Sequence, residues 1–286
     1  MKTIIHATDY SENAVAALKY AHSLSSTLNT QLLVIHIFDI PTTMSTELKE
    51  PYYHLEKDTF TMHYKKLKEF CIEHLGDDLD SMNVKVEAIE DKSVVNGIIS
   101  KINELNAYLV VTGTKGKSAV KEFIMGNTTK HLIEKSPCPI FSIPIGASHS
   151  NIETIVYASD FEDRDVDAIE KLVKIAKPFN ANIKLVHISK SKEYDGKTLM
   201  EWFKETLREK VSYKKINFKL LYADDIFNTL RVYLIDVEAD LVVMMERKKG
   251  GLLKELMHKD LVKRMESYGQ IPLLSFNKMN YELFNF

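Results

Sequence analysis

Three glycines stand close together in the second quarter of the chain, among residue types that bind phosphate. Gly113 and Gly116 follow a short apolar stretch, and Gly126 comes after nine intervening residues, directly before the polar run Asn127–Thr129. Glycine lets a ligand approach the backbone closely, and the unpaired N–H groups of a helix start attract anions. The pattern therefore predicts a phosphate-binding loop between a strand and a helix.

These glycines could instead be ordinary turn residues, because glycine is common in loops. Two observations favour the phosphate interpretation. The chain has only 10 glycines in 286 residues, yet three of them fall between positions 113 and 126, and polar side chains follow the last one. The spacing matches neither the Walker loop nor the dinucleotide fingerprint, so neither of those nucleotide sites is predicted.

The elements that must position this loop can be read from the hydrophobic pattern. Tyr108–Thr112 is a β-branched run typical of a buried strand, and Lys2–Ala7 and Gln31–Phe38 have the same character. A helix capped near Ser11 separates the first two strands. A polar connection is predicted at Asp39–His54, before a longer helix.

Repeated strand-helix units with short links predict a parallel sheet with helices on both faces. Ligands of such sheets bind beyond the carboxyl ends of the strands. Asp9, Ile37 and Gly113 stand at the predicted ends of three strands, so we expect them to meet at one crevice.

The pattern starts again after a predicted linker at Ile145–Asn151, which indicates an internal repeat. IIHATDYSENA near the N-terminus resembles IVYASDFEDRD in the second half, and LLVIHIF resembles IKLVHIS. Asp9 and His36 are 27 residues apart (36 − 9), and Asp160 and His187 are also 27 apart (187 − 160). The chain is therefore predicted to contain two copies of one α/β unit.

The second copy lacks the glycines of the first. Met245, Lys248 and His258 stand opposite them in a gapless alignment, and their β-carbons should obstruct a phosphate chain. Asp160 persists, and we predict that it serves only as a carboxylate at a helix start. One chain is therefore expected to bind one nucleotide, in its first half.

The glycine loop, the T-D-Y-S turn and the ending Cys138-Pro139-Ile140 together resemble the universal stress protein family. The resemblance implies two tandem, doubly wound α/β domains, each with a five-stranded, mainly parallel sheet and helices on both faces. They would span residues 1–146 and 150–280, followed by a C-terminal tail at 281–286. It also implies that the last strands of the two domains, Ile140–Ile143 and Leu273–Phe276, pair within one chain.

The resemblance further implies a site for ATP or another adenine nucleotide, and Mg²⁺ could accompany the phosphates. The matching Asp9 would contact the adenine and ribose side, although it could also act only as a helix-start carboxylate. The expected site residues are Ala7, Thr8, Asp9, Ser11, Ile37, Thr112, Gly113, Gly116, Lys117, Gly126, Asn127, Thr128 and Thr129. Ser11 and the two threonines could equally cap helices, and Asn127 replaces the serine or threonine usual in the family.

Composition excludes several classes of function. The net charge is −2 and the pI about 6.6, with no basic block, so neither nucleic acid nor a membrane surface is an expected partner. The N-terminus lacks an apolar segment of signal-peptide length, and we expect a cytoplasmic protein. Cys71 and Cys138 are expected to be reduced and buried, and His36 and His187 to be hydrogen-bonded strand residues.

Three classes of function follow from these patterns. A nucleotide-binding module that partners recognise is favoured, because phosphate-binding residue types are present and no catalytic motif is found. A slow ATPase or phosphotransferase is the second class, and a nucleotide-independent interaction protein is the third. A homodimer is plausible in each case.

Overall fold

The computed structural model describes residues 2–40, 51–114, 126–147, 151–189, 196–246 and 271–277. Alternating strands and helices form two similar halves. The first half contains β1 (Thr3–Ala7), α1 (Glu12–Thr27), β2 (Gln31–Phe38), α2 (Pro51–Leu75), β3 (Val84–Glu90), α3 (Val94–Leu105), β4 (Leu109–Gly113), α4 (Asn127–Lys135) and β5 (Ile140–Ile143). The second contains β6 (Thr154–Ala158), α5 (Asp163–Phe179), β7 (Asn182–Ser189), α6 (Gly196–Lys210), β8 (Ile216–Tyr222), α7 (Ile226–Asp236), β9 (Leu241–Met245) and β10 (Leu273–Phe276).

The predicted elements agree with this order, with one correction. α2 already begins at Pro51, so the polar connection predicted at Asp39–His54 ends earlier than expected. A proline is tolerated in the first turn of a helix, where its missing N–H is not needed. Residues 41–50 lie outside the described residues.

The strands of both halves form one sheet in the order β3-β2-β1-β4-β5-β10-β9-β6-β7-β8. Neighbouring strands are parallel except at the centre, where β5 and β10 run antiparallel. The predicted fold class, two doubly wound five-stranded units with helices on both faces, is confirmed. The two units share a single continuous sheet because their last strands pair with each other.

The seam between the halves is closed by backbone and side-chain hydrogen bonds. Leu274 of β10 stands opposite Phe141 of β5, as the predicted pairing of the last strands requires. The Asn277 amide, which is buried, donates to the Ile133 carbonyl at 2.7 Å and to the Ser136 carbonyl at 2.9 Å. The second half thus covers the sheet edge that the first half would otherwise expose.

Apolar side chains pack on both faces of the sheet. One core lies under α1, α2, α5 and α6, and the other lies under α3, α4 and α7. Cys71 and Cys138 are free thiols buried in these two cores, as predicted, and burial raises the pKa of each to about 12.

Candidate functional site

A cavity of about 300 Å³ lies beyond the carboxyl ends of β1, β2 and β4. Every predicted site residue that the structure describes lines this cavity, whereas Gly116 and Lys117 lie outside the described residues. Six further lining residues were not predicted: Asn13, Ala14, His36, Val94, Ile98 and Thr114. The crevice expected from the strand order is therefore present.

The cavity has one apolar wall. Ile37 at the end of β2 faces it together with Val94 and Ile98 of the first two turns of α3. The Val94 side chain is 46% exposed although it is apolar, which leaves contact area for a flat, apolar group. Both α3 residues share the helical periodicity of buried positions, so the sequence pattern alone does not distinguish them as cavity residues.

Asp9 begins the turn between β1 and α1, and Ser11 fixes its orientation. The Ser11 backbone N–H and hydroxyl both donate to Asp9 Oδ1, at 3.1 and 2.6 Å. The same hydroxyl accepts from the Ala14 N–H at 3.3 Å and so caps α1. The capping role considered for Ser11 is therefore occupied, while Asp9 Oδ2 has no partner among the described residues and stays available to a ligand.

α4 begins differently from α1, α3 and α7. In those three helices Ser11, Ser93 or Asp225 accepts a hydrogen bond from a backbone N–H of the first turn. The residue that precedes α4 is Gly126, which has no side chain to accept such a bond. Its first N–H groups are therefore not satisfied by a cap, and this end of α4 lines the cavity.

The two threonines of the first turn of α4 have different roles. Thr129 is buried, and its hydroxyl donates to Thr112 Oγ1 at 3.4 Å, which ties α4 to the end of β4. Thr128 is half-buried and Asn127 is exposed. Of these residues, Thr128 and Asn127 have side chains that a ligand could reach.

Neither Gly113 nor Gly126 is needed for a left-handed backbone conformation. Gly126 has φ −61° and ψ 151°, values that most residues adopt. A β-carbon on Gly113 would lie 2.6 Å from the Asn13 carbonyl oxygen. Gly113 is therefore required for the close packing of the α1 start on β4, in addition to any role in binding.

The geometry and the sequence comparisons agree on a family. The family model described as the universal stress protein family matches residues 1–144, which is half of the chain. The chain belongs to the universal stress protein family. A universal stress protein of Methanocaldococcus jannaschii is 24% identical over 163 residues, which cover 94% of that protein and 50% of this chain.

Solved structures extend the likeness over both halves of this universal stress protein. The crystal structure of a universal stress protein from Archaeoglobus fulgidus has a TM-score of 0.69 at 15% identity and covers 96% of this chain and 98% of that one. A putative universal stress protein from Pseudomonas aeruginosa has a TM-score of 0.58 at 15% identity, with coverages of 97% and 93%. At such identities the likeness concerns the fold.

The second half of this universal stress protein has a different arrangement at the equivalent place. The offset of 151 residues that aligns Asp9 with Asp160 (160 − 9) also aligns Ala14 with Asp165 (165 − 14). Asp165 is fully buried and accepts from the Tyr157 hydroxyl and the Ser159 hydroxyl, both at 2.8 Å. A buried carboxylate thus stands where the first half has a methyl group on the cavity wall.

Asp165 accepts the backbone N–H groups of the turn that leads into α5. The N–H groups of Asp160 and Glu162 both donate to Asp165 Oδ2, at 3.1 and 3.2 Å. Phe161, after Asp160, has φ 56°, and Tyr10, after Asp9, has φ 65°, so the turns of the two halves share a left-handed residue. The helix-start role of the Asp160 carboxylate stays a prediction.

His36 and His187 are hydrogen-bonded strand residues, as predicted. Nδ1 of His36 donates to the Thr8 carbonyl at 2.9 Å, and Nδ1 of His187 donates to the aligned Ser159 carbonyl at 2.8 Å. In each half, this bond holds the end of the first strand against the second strand. His36 differs in that it also lines the cavity.

His6 lies below the cavity and was not singled out by its sequence context. Its ring is fully buried, and Nδ1 donates to the Val111 carbonyl at 3.1 Å. Nε2 has no hydrogen-bond partner within the part of the chain that the structure describes. Burial is the main cause that lowers the pKa of His6 to about 4, although contacts with Val111, Ala14 and Asp9 oppose it. His6 is therefore neutral in the folded protein near pH 7.

This burial predicts a loss of stability in mild acid. The pKa of His6 is lower in the folded protein than in the unfolded chain. The contribution of this residue to the unfolding free energy is therefore complete above about pH 6.5 and is lost as the pH falls to about 4. The shift corresponds to roughly 3 kcal/mol of unfolding free energy. Urea unfolding across this pH range should show a shallower slope for His6→Asn, whose amide can still donate to Val111. Parallel slopes would contradict the assignment.

No helix among the described residues is long and apolar enough to cross a membrane.

Proposed function

We propose that the first half binds an adenine nucleotide, with ATP as the expected ligand, and acts as a nucleotide-dependent binding module. The observation that carries the proposal is the uncapped start of α4 at the cavity. Backbone N–H groups at a helix start, together with the helix dipole, stabilise phosphate. The phosphates would lie against Gly126, Asn127 and Thr128.

The nucleoside would occupy the other end of the cavity. Ile37, Val94 and Ile98 offer an apolar surface of the kind on which a purine packs. Asp9 Oδ2 is available to accept from ribose hydroxyls, and Ser11 holds the carboxylate in place for that contact. A hydrogen bond to a charged group contributes about 1.5–3 kcal/mol.

Binding is favoured over catalysis by the residues at the cavity. Asp9 is the one carboxylate among the described lining residues, and one of its oxygens is held by Ser11. The described residues contain no group of three or more potential metal ligands. Mg²⁺ would accordingly arrive with the phosphates and keep most of its water ligands.

The second half is proposed to serve as a built-in pairing partner. Met245 is buried at the position that aligns with Gly113, and Asp165 adds a carboxylate near the equivalent crevice. Negative charge there opposes an anionic ligand. Lys248 and His258, which were also predicted to obstruct a phosphate chain, lie outside the described residues.

Calorimetric titration with ATP tests this proposal. We expect saturation at one nucleotide per chain, because the cavity and the uncapped helix start occur together in the first half. Mass spectrometry of nucleotide released from freshly purified protein would identify the natural ligand. Saturation at two per chain would contradict the role of the second half, and the absence of binding by ATP, ADP and AMP would overturn the proposal.

A further inference from the structure

Asn13 is a cavity residue whose side-chain oxygen is left unpaired by the described part of the chain. It follows Glu12 in the first turn of α1 and lines the cavity. Its Oδ1 atom is buried and has no hydrogen-bond partner among the described residues. Buried side-chain amides are normally hydrogen-bonded, so an exception calls for an explanation.

The position of Asn13 places it at the α4 end of the cavity. Its main-chain carbonyl packs against Gly113 at the end of β4. The preceding residue, Thr112, accepts a hydrogen bond from Thr129 in the first turn of α4. Asn13 is thus linked through two adjacent residues to the uncapped helix start.

We propose that Asn13 binds the phosphate group of the nucleotide through its side-chain amide. Its NH₂ group can donate to a phosphate oxygen without rotation of the amide, because Oδ1 is the atom that is buried. An ionised phosphate offers only acceptors, so an amide donor is complementary to it. The inference rests on the proposed nucleotide site and adds to it a residue that discriminates nucleotides from nucleosides.

The geometry explains why an amide suits this position better than an acid. Asp9, four residues earlier, already supplies a carboxylate for the sugar side. A second carboxylate next to the helix start would repel phosphate, whereas an uncharged amide donates without adding charge. The aligned position in the second half is Arg164 (13 + 151), which is exposed.

The test compares ATP with adenosine in calorimetry on wild type, Asn13→Ala and Asn13→Asp. We expect Asn13→Ala to weaken ATP binding about 10-fold and Asn13→Asp to weaken it about 100-fold, with adenosine affinity unchanged in both. Asn96→Asp is the matched control, because it places the same charge in the first turn of α3 at a residue that does not line the cavity. It should leave ATP affinity within about twofold.

Each other outcome decides against the inference. Unchanged ATP affinity in Asn13→Ala would overturn it, and so would an Asn13→Asp variant that binds ATP as wild type does, since Asn13 would then act as an acceptor. Equal losses for ATP and adenosine would show that Asn13 only shapes the site. The ligand-free unfolding midpoint should not fall in Asn13→Ala, because the side chain has no partner to lose. Failure of the wild type to bind ATP would instead refute the nucleotide site itself.

Discussion

Replacing Gly126 by valine is expected to lower ATP affinity at least about 100-fold while the protein stays folded. The backbone angles of Gly126 suit valine, so the variant should lose only about 1 kcal/mol of stability from a poorer helix start. The branched side chain would occupy the space at the first N–H groups of α4, where charge-assisted hydrogen bonds to phosphate are each worth about 1.5–3 kcal/mol. Calorimetry with ATP measures the loss.

Asp225→Val provides the matched control for Gly126→Val. Asp225 caps α7 in the second half through a bond from the Asn228 N–H at 3.0 Å, so valine there also impairs a helix start but lies far along the chain from the cavity. We expect comparable or greater loss of stability with unchanged ATP affinity. If Gly126→Val retained the affinity of wild type, the phosphate end of the site would be wrongly assigned.

Replacing Asp165 by alanine is expected to lower the unfolding free energy by about 4 kcal/mol. The buried carboxylate accepts four hydrogen bonds, from Tyr157, Ser159, Asp160 and Glu162. Alanine removes the acceptor of two buried hydroxyls and of two backbone N–H groups in the turn, although it also removes the cost of burying a charge. The loss therefore exceeds that of an ordinary surface substitution.

Chemical denaturation, monitored by tryptophan fluorescence, measures the loss of unfolding free energy in the second half, where Asp165 lies. The chain has one tryptophan, Trp202, which lies in α6 of the second half and adjoins the buried Phe203. Asp163→Ala is the control, because Asp163 is an exposed acid of the same first turn and should contribute at most about 1 kcal/mol. Equal effects of the two variants would mean that the Asp165 network adds no stability.

The helices and strands were largely predictable because their signals are local. A run such as Gln31–Phe38 is apolar except at Gln31 and His36, since both of its faces are largely buried. Ser11 and Ser93 mark helix starts with a side chain that caps the first turn. The crevice was also predictable, because the ends of parallel strands meet at one edge of the sheet. The exceptions depended on contacts between distant residues.

The sequence by itself determined the tandem α/β architecture and the place of the cavity, because periodicity and repetition report which faces are buried. The pairing of the last strands was expected only from the resemblance to the family. Only the tertiary structure decided which polar atoms find partners. His6 meets Val111 across 105 residues, and Gly113 faces Asn13 across the cavity floor, so no local pattern reveals either contact. In the second half Asp165 accepts the backbone N–H groups of Asp160 and Glu162, a contact that the sequence likeness of the two turns does not reveal. Hydrogen bonds depend on direction as well as distance, and that direction is fixed only when the chain has folded.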